Sequence, residues 1–217
     1  GLEVKLSMAY ELTYRPLENP SSNFLFESAL KQPELLEPEE GIGSFLVLQS
    51  VHALHETVYL PPQSLEQAWK ANQEYIASKC LTQPPLACYP IYLMTVGENK
   101  DERLVYIGKT SSKSSRFSAG HAAISKLHHP KYDGLTKRVY LCCAVFINKA
   151  RGTFPIEWIQ PYEKAELLLK SFEAYLIYWT KPELNTQHIA TEPDFDFSPI
   201  QAQNITGHNE FWHEDVL

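Results

Sequence analysis

Six side chains between positions 92 and 185 are of the types that phosphodiester chemistry uses: Tyr92, Tyr106, Arg116, His121, Glu173 and Asn185. An arginine can neutralise the extra charge of a pentacovalent phosphorane, and a carboxylate can hold a hard divalent cation on a leaving oxygen. A phenol or an imidazole can take a proton from water. Each residue also has a plainer use. Tyr92 and Tyr106 suit aromatic cross-strand pairing, Arg116 and His121 suit a solvated surface, and Asn185 suits a helix stop. Glu173 resists its plain use as a solubilising charge: Phe172, Tyr175, Leu176 and Trp179 surround it, and a carboxylate among them is costly unless it meets a cation. Gly108, two residues after Tyr106, can turn the chain and can also admit a phosphate to the backbone. His128 and His129 compete with His121 for the imidazole role. The cysteines, Cys80, Cys88, Cys142 and Cys143, form no CxxC pair, which argues against a zinc knuckle or a disulfide framework.

Charge points to a polyanionic partner. The 217-residue chain carries a net charge of -7, but the sign is unevenly spread. Residues 90–187 hold fourteen basic against nine acidic residues, a balance of +5, so the flanks together carry -12. From Arg103 to Tyr132 there are six bases and no acid, with His121, His128 and His129 interleaved. That is the electrostatic footprint expected where nucleic acid docks, although a solvated helix face would carry similar charge.

The elements that must position these residues are readable from periodicity. Residues 91–96 and 104–107 read as the two strands of a hairpin around the polar turn 97–101. A helix is expected over 119–128, stopped by Pro130. Residues 138–147 are apolar on both alternating faces, which predicts a central strand covered on both sides. The strongest helix begins at Pro161, with Ala165, Leu168, Leu169, Phe172, Tyr175, Leu176 and Trp179 as its stripe, and ends at Pro182. Upstream, residues 4–14 alternate as a strand, a short helix is expected near 23–31, and a longer one over 64–79. Residues 45–54 are apolar but of ambiguous type, and the last thirty residues read as an acidic, loop-like tail. No run approaches the roughly 18 apolar residues that span a bilayer, and the N-terminus lacks a basic-then-apolar leader. A soluble, cytoplasmic protein with no membrane partner is the expectation.

Residues 90–187 resemble the GIY-YIG nuclease superfamily, which includes homing endonucleases, the first nuclease of bacterial excision repair and some restriction enzymes. Tyr106-Ile107-Gly108-Lys109 is a literal YIG followed by the lysine common in the family. Arg116 follows Tyr106 by ten residues, and the twelve-residue step from Glu173 to Asn185 is similar to the metal-glutamate and asparagine pair of the repair nucleases. The motif's first half departs from the family: it reads Pro90-Ile91-Tyr92, with proline in place of glycine, and the step to Tyr106 is longer than the family's compact hairpin.

The resemblance implies an α+β fold, a three-stranded antiparallel sheet flanked by helices over 90–187, with an accessory region over 1–89 for DNA recognition or dimerisation and an acidic tail over 188–217. It implies a Mg²⁺- or Mn²⁺-dependent endonuclease acting on double-stranded DNA. Tyr106 and Tyr92 would activate or orient water, Arg116 would hold the scissile phosphate, and Glu173 would bind the metal. Lys109 and His121 would tune the proton path, Asn185 would complete the catalytic set, and Gly108, Lys113, Lys126 and Lys131 would meet the DNA. A restriction endonuclease is the leading expectation by analogy, which would require a homodimer or two successive binding events to cut both strands. The alternatives are a structure-specific repair or mobile-element nuclease, and an inactive nucleic-acid-binding or regulatory module.

Overall fold

The computed structural model describes residues 43–54, 90–110, 121–147, 153–156, 159, 162–204, 206–208, 210–213 and 215–217. The strand expected over 4–14, the helices expected near 23–31 and 64–79, and Lys113, Arg116 and Pro161 lie outside these residues. Among the described residues, six strands and two α-helices are present: β1 (Ser44–Ala53), β2 (Ile91–Val96), β3 (Arg103–Lys109), α1 (Ala122–Lys126), β4 (Lys137–Ile147), β5 (Thr153–Pro155), α2 (Tyr162–Thr180) and β6 (Ile200–Asn204).

All six strands belong to one sheet ordered β3-β2-β4-β1-β6, with β5 pairing β4 off this path. Every pairing is antiparallel except β1 with β6, which is parallel. The α+β class is as expected, but the three-stranded antiparallel sheet is not: β3, β2 and β4 form one flank of a wider, mixed sheet. The ambiguous apolar segment is β1, and its consecutive buried residues Phe45, Leu46, Val47 and Leu48 follow from its place between β4 and β6. The C-terminal segment was expected to be loop-like, yet it supplies β6. Ile200, Ala202 and Asn204 are buried and alternate with half-buried Gln201 and Gln203. Five residues with so polar a composition carry too little period-2 signal to stand out from a loop.

The sheet buries both faces. On one, Leu46, Leu48, Ile91, Leu93, Ile107, Tyr140 and Phe146 pack with Ala165, Leu169, Phe172 and Leu176 of α2 and with Phe197 and Phe211 of the C-terminal segment. On the other, Tyr92, Met94, Val105, Val139 and Leu141 pack with Ala123 and Ile124 of α1, with Leu127 and Tyr132, and with Leu184. The alternation of Tyr140, Cys142 and Ala144 with Val139, Leu141 and Cys143 explains why β4 has no polar face: two layers cover it. Trp179, expected in the α2 stripe, is 58% exposed, and Ile177 is buried instead. Lys181, at φ +46, takes the left-handed position that closes α2, its N–H bonding Ile177 O at 2.9 Å, and Pro182 follows.

Candidate active site

The β2–β3 hairpin places the two tyrosines together through an irregularity. Met94 pairs Tyr106 and Thr95 pairs Leu104, so Val105 is the extra residue of a β-bulge. A bulge of this kind lets successive side chains share a face. Val105 and Tyr106 do so: both pack with the Tyr92 cluster, while Leu104 and Ile107 pack with the opposite one. The Tyr92 and Tyr106 rings lie 6.1 Å apart. Gly108 sits directly across from Tyr92, and a Cβ there would fall on the Tyr92 phenol. The glycine of the YIG string is therefore required by close approach of a ring across the strand pair.

His121 completes the cluster. The helix expected from 119 is described from Ala122, with His121 as its N-cap in extended conformation (φ -142, ψ 128). Its Nδ1 accepts the backbone N–H of Ala123 at 3.2 Å, an unusual cap that fixes the ring. With Nδ1 accepting, the neutral imidazole carries its proton on Nε2. That nitrogen lies 2.8 Å from the Tyr92 oxygen, so His121 donates and Tyr92 accepts. The His121 ring meets Tyr92 edge-on at 5.4 Å and Tyr106 at 5.6 Å. Tyr92 is buried at 1% exposure, whereas Tyr106 and His121 are half-buried. The chemical consequence is an N–H placed to stabilise negative charge on a buried phenol, beside a second phenol that reaches the surface.

Asn185 acts on this arrangement through the backbone. Among the described residues β3 is the sheet's edge, so its outward N–H and C=O groups need partners. Asn185 Oδ1 accepts from Ile107 N–H at 2.9 Å, and its Nδ2 donates to Ile107 O at 2.8 Å. Leu184 N–H donates to Val105 O at 2.9 Å. Residues 184–185 thus clip the strand on either side of Tyr106, and both polar atoms of the Asn185 side chain are engaged on Ile107.

The remaining expected residues separate. Lys109 pairs Ile91 across the hairpin, so its Cβ lies on the α2 face with Ile91. Glu173 is half-buried on α2, whose apolar stripe also belongs to that face. The structure therefore gathers Tyr92, Tyr106, Gly108 and His121 on one face, with Asn185 at the edge, Lys109 on the other face and Glu173 on α2, which packs against the edge strand β3. Lys126, the last residue of α1, and Lys131, in the turn after it, are exposed and line a cleft of about 490 Å³ with Ser125, His128, His129 and Leu184.

Two ionic groupings had no signal in the sequence beyond residue type. Glu183 accepts from Arg103 at 2.7 Å, Lys131 at 3.1 Å and Tyr132 at 2.8 Å. Burial alone would raise its pKa, but hydrogen bonds from Arg103, Tyr132 and Lys131 outweigh that and lower it to about 2. At the turn end of the hairpin, the fully buried Glu102 carboxylate accepts from Thr95 at 2.5 Å, Tyr140 at 2.9 Å and Arg138 at 3.2 Å, and His208 Nε2 lies 3.2 Å away. Burial, and then the charge of Glu102, push the Tyr140 phenol well above its ordinary range.

Among the described residues no group of three or more His, Cys, Asp or Glu converges on a point, so a protein cage of the zinc kind has no site there. A single carboxylate such as Glu173 instead fits a hydrated Mg²⁺, which keeps several waters and commonly takes one or two carboxylates together with substrate phosphate. No helix among the described residues is long and apolar enough to cross a membrane. Comparison with protein-family models, curated proteins and solved structures finds no match.

Proposed function

We propose that this protein is a metal-dependent DNA endonuclease of the GIY-YIG kind. The observation that carries the reading is the convergence of Tyr92, Tyr106 and His121 over Gly108, because the residues of the YIG string become neighbours of a buried phenol with a fixed hydrogen-bond donor. Tyr106, the phenol that reaches the surface, orients or deprotonates the attacking water. His121 Nε2–H donates to the Tyr92 oxygen and fixes that ring beside Tyr106. Arg116 grips the scissile phosphate, and its guanidinium can engage two oxygens at once. Asn185 is a positioning residue that keeps the Tyr106 segment in register. Glu173 would hold Mg²⁺ or Mn²⁺, which when bound supplies Lewis acidity toward the departing 3′ oxygen.

Within this reading a type II-like restriction endonuclease is favoured, working on double-stranded DNA in the cytoplasm as a dimer or by two successive encounters. One site of this kind cuts one strand at a time, and a palindromic target is matched by two-fold symmetry. Incubation of the purified protein with unmethylated phage DNA and Mg²⁺ tests it. Discrete bands that persist as digestion proceeds support restriction. Cleavage governed by branched or flapped shape and indifferent to base sequence assigns a repair or mobile-element role, and absence of any cleavage in Mg²⁺ or Mn²⁺ removes the nuclease reading in favour of a binding module.

A further inference from the structure

Glu183 occupies a position that an anion of another origin could fill. Its two carboxylate oxygens receive three donors from two separate elements: the Arg103 guanidinium at the start of β3, and the Lys131 ammonium and Tyr132 hydroxyl in the turn after α1. Lys131 also lies over the Tyr132 ring, 4.6 Å from its centroid, which fixes the ammonium beside the hydroxyl. The Tyr132 side chain is fully buried, so the hydroxyl is held in place by the core. The cations and the carboxylate are accessible: the side chains of Arg103, Lys131 and Glu183 are 53%, 46% and 37% exposed. A phosphodiester presents the same feature as a carboxylate, two equivalent anionic oxygens on one atom, and Arg with Lys is the usual pair that meets it. The seat opens on the cleft of Lys126, His128 and His129, through the shared Lys131. There His129 Nδ1 accepts the Lys131 N–H at 3.2 Å, so in the neutral ring Nε2 carries the proton as a further donor.

The seat is also coupled to the candidate active site. Glu183 immediately precedes Leu184 and Asn185, which bond the β3 backbone at Val105 and Ile107 around Tyr106. From His121 the chain passes the five residues of α1, a rise of about 7.5 Å, and then Leu127, His128 and His129 before the turn holding Lys131. The rise of α1 alone matches about two nucleotides at ~3.4 Å each along one strand.

We propose that Arg103, Lys131 and Tyr132 form a seat for a backbone phosphate of nucleic acid near the scissile one, and that Glu183 is its resident occupant when no nucleic acid is bound. The inference rests on the nuclease reading. Docking then exchanges a carboxylate for a phosphate on the same donors, so Glu183 lowers affinity while keeping the edge clip closed in the unbound protein.

The test is fluorescence anisotropy of a labelled DNA duplex with the full chain in EDTA, across a series of NaCl concentrations, for wild type and for Glu183→Gln, Arg103→Gln and Lys131→Gln. Urea unfolding of each variant establishes that it is folded. Glutamine keeps an acceptor for Tyr132 but no longer competes as an anion. The expected result is that Glu183→Gln binds roughly tenfold tighter, the worth of one charge-assisted contact. Arg103→Gln and Lys131→Gln should bind more weakly, each with a salt slope shallower by about 0.9. If wild type binds and Glu183→Gln binds equally or less tightly, or the two cation variants keep the wild-type slope, the seat is overturned and the nuclease reading stands. If wild type binds no DNA even at low salt, the nuclease reading fails and the seat fails with it.

Discussion

The two ends of the β2–β3 hairpin carry opposite kinds of polar cluster. At the turn end, Glu102 has no exposed side-chain surface and is surrounded by Thr95, Tyr140, Arg138 and His208. Every neighbour acts on the same carboxylate, which leaves no acceptor capacity for a ligand. At the other end, Tyr92, Tyr106 and His121 meet through one hydrogen bond and three ring contacts, with Tyr106 and His121 half-exposed. The first cluster is a charge that the fold has closed around, and removing it should cost stability. The second is a set of groups that the fold holds open at a surface, and altering it should cost chemistry.

The largest expected effect breaks the closed end. Glu102→Ala leaves Arg138 without its buried partner and the Thr95 and Tyr140 hydroxyls without an acceptor, which should cost about 3–5 kcal/mol in urea unfolding. Retention of wild-type stability would mean that the network contributes nothing net. At the open end, Tyr106→Phe removes one hydroxyl at a half-buried site. Cleavage of plasmid should fall at least ~10²-fold, about 2.7 kcal/mol of transition-state stabilisation, with little change in the urea midpoint. A variant that cuts normally would reduce Tyr106 to an aromatic cross-strand partner. Gly108→Ala sharpens the comparison because it acts on both properties: the added methyl meets the Tyr92 ring, and displacing that ring should cost about 1–3 kcal/mol and detach it from His121. Unchanged stability and unchanged activity together would refute the close approach.

The smallest effect concerns Glu183, whose carboxyl is lowered to about 2 from an ordinary 4.5. A depressed carboxyl contributes stability that is fully present above its unfolded pKa and lost as pH falls through the folded one. Wild type should therefore lose a small increment of stability between about pH 4.5 and 2, and Glu183→Gln should lack that increment. Because the ion pairs are partly exposed, added salt should shrink the difference.

Local pattern made much of this readable in advance. Alternation of Ile91 and Leu93 with Tyr92 and Met94 marks a strand buried on both faces, and Pro182 marks where α2 must end. The string Tyr106-Ile107-Gly108 marked the end of the hairpin where Tyr92, Tyr106 and His121 meet. What was hidden depended on contacts between distant segments. β6 is short and polar on alternate residues, so only its pairing with β1 reveals it as a strand. The facing of Tyr106 depends on a one-residue bulge, and strict alternation from Leu104 would have put it on the wrong side of the pair. The use of Asn185 on Ile107 follows from β3 being an edge, a property of sheet order that no single segment encodes. Glu102 stands in the sequence as one more acid of a polar turn, and His208, more than one hundred residues away, is what shows that it is enclosed.

The central claim is that the open cluster supports metal-dependent cleavage of DNA. It is tested most directly by following supercoiled plasmid with wild type and Glu173→Gln, in Mg²⁺ and in EDTA, alongside their affinity for the same DNA. Nicked or linear product is expected from wild type in Mg²⁺ alone, and none from Glu173→Gln although it still binds. Cleavage that persists in EDTA, or a Glu173→Gln variant that nicks at the wild-type rate in Mg²⁺, would contradict it.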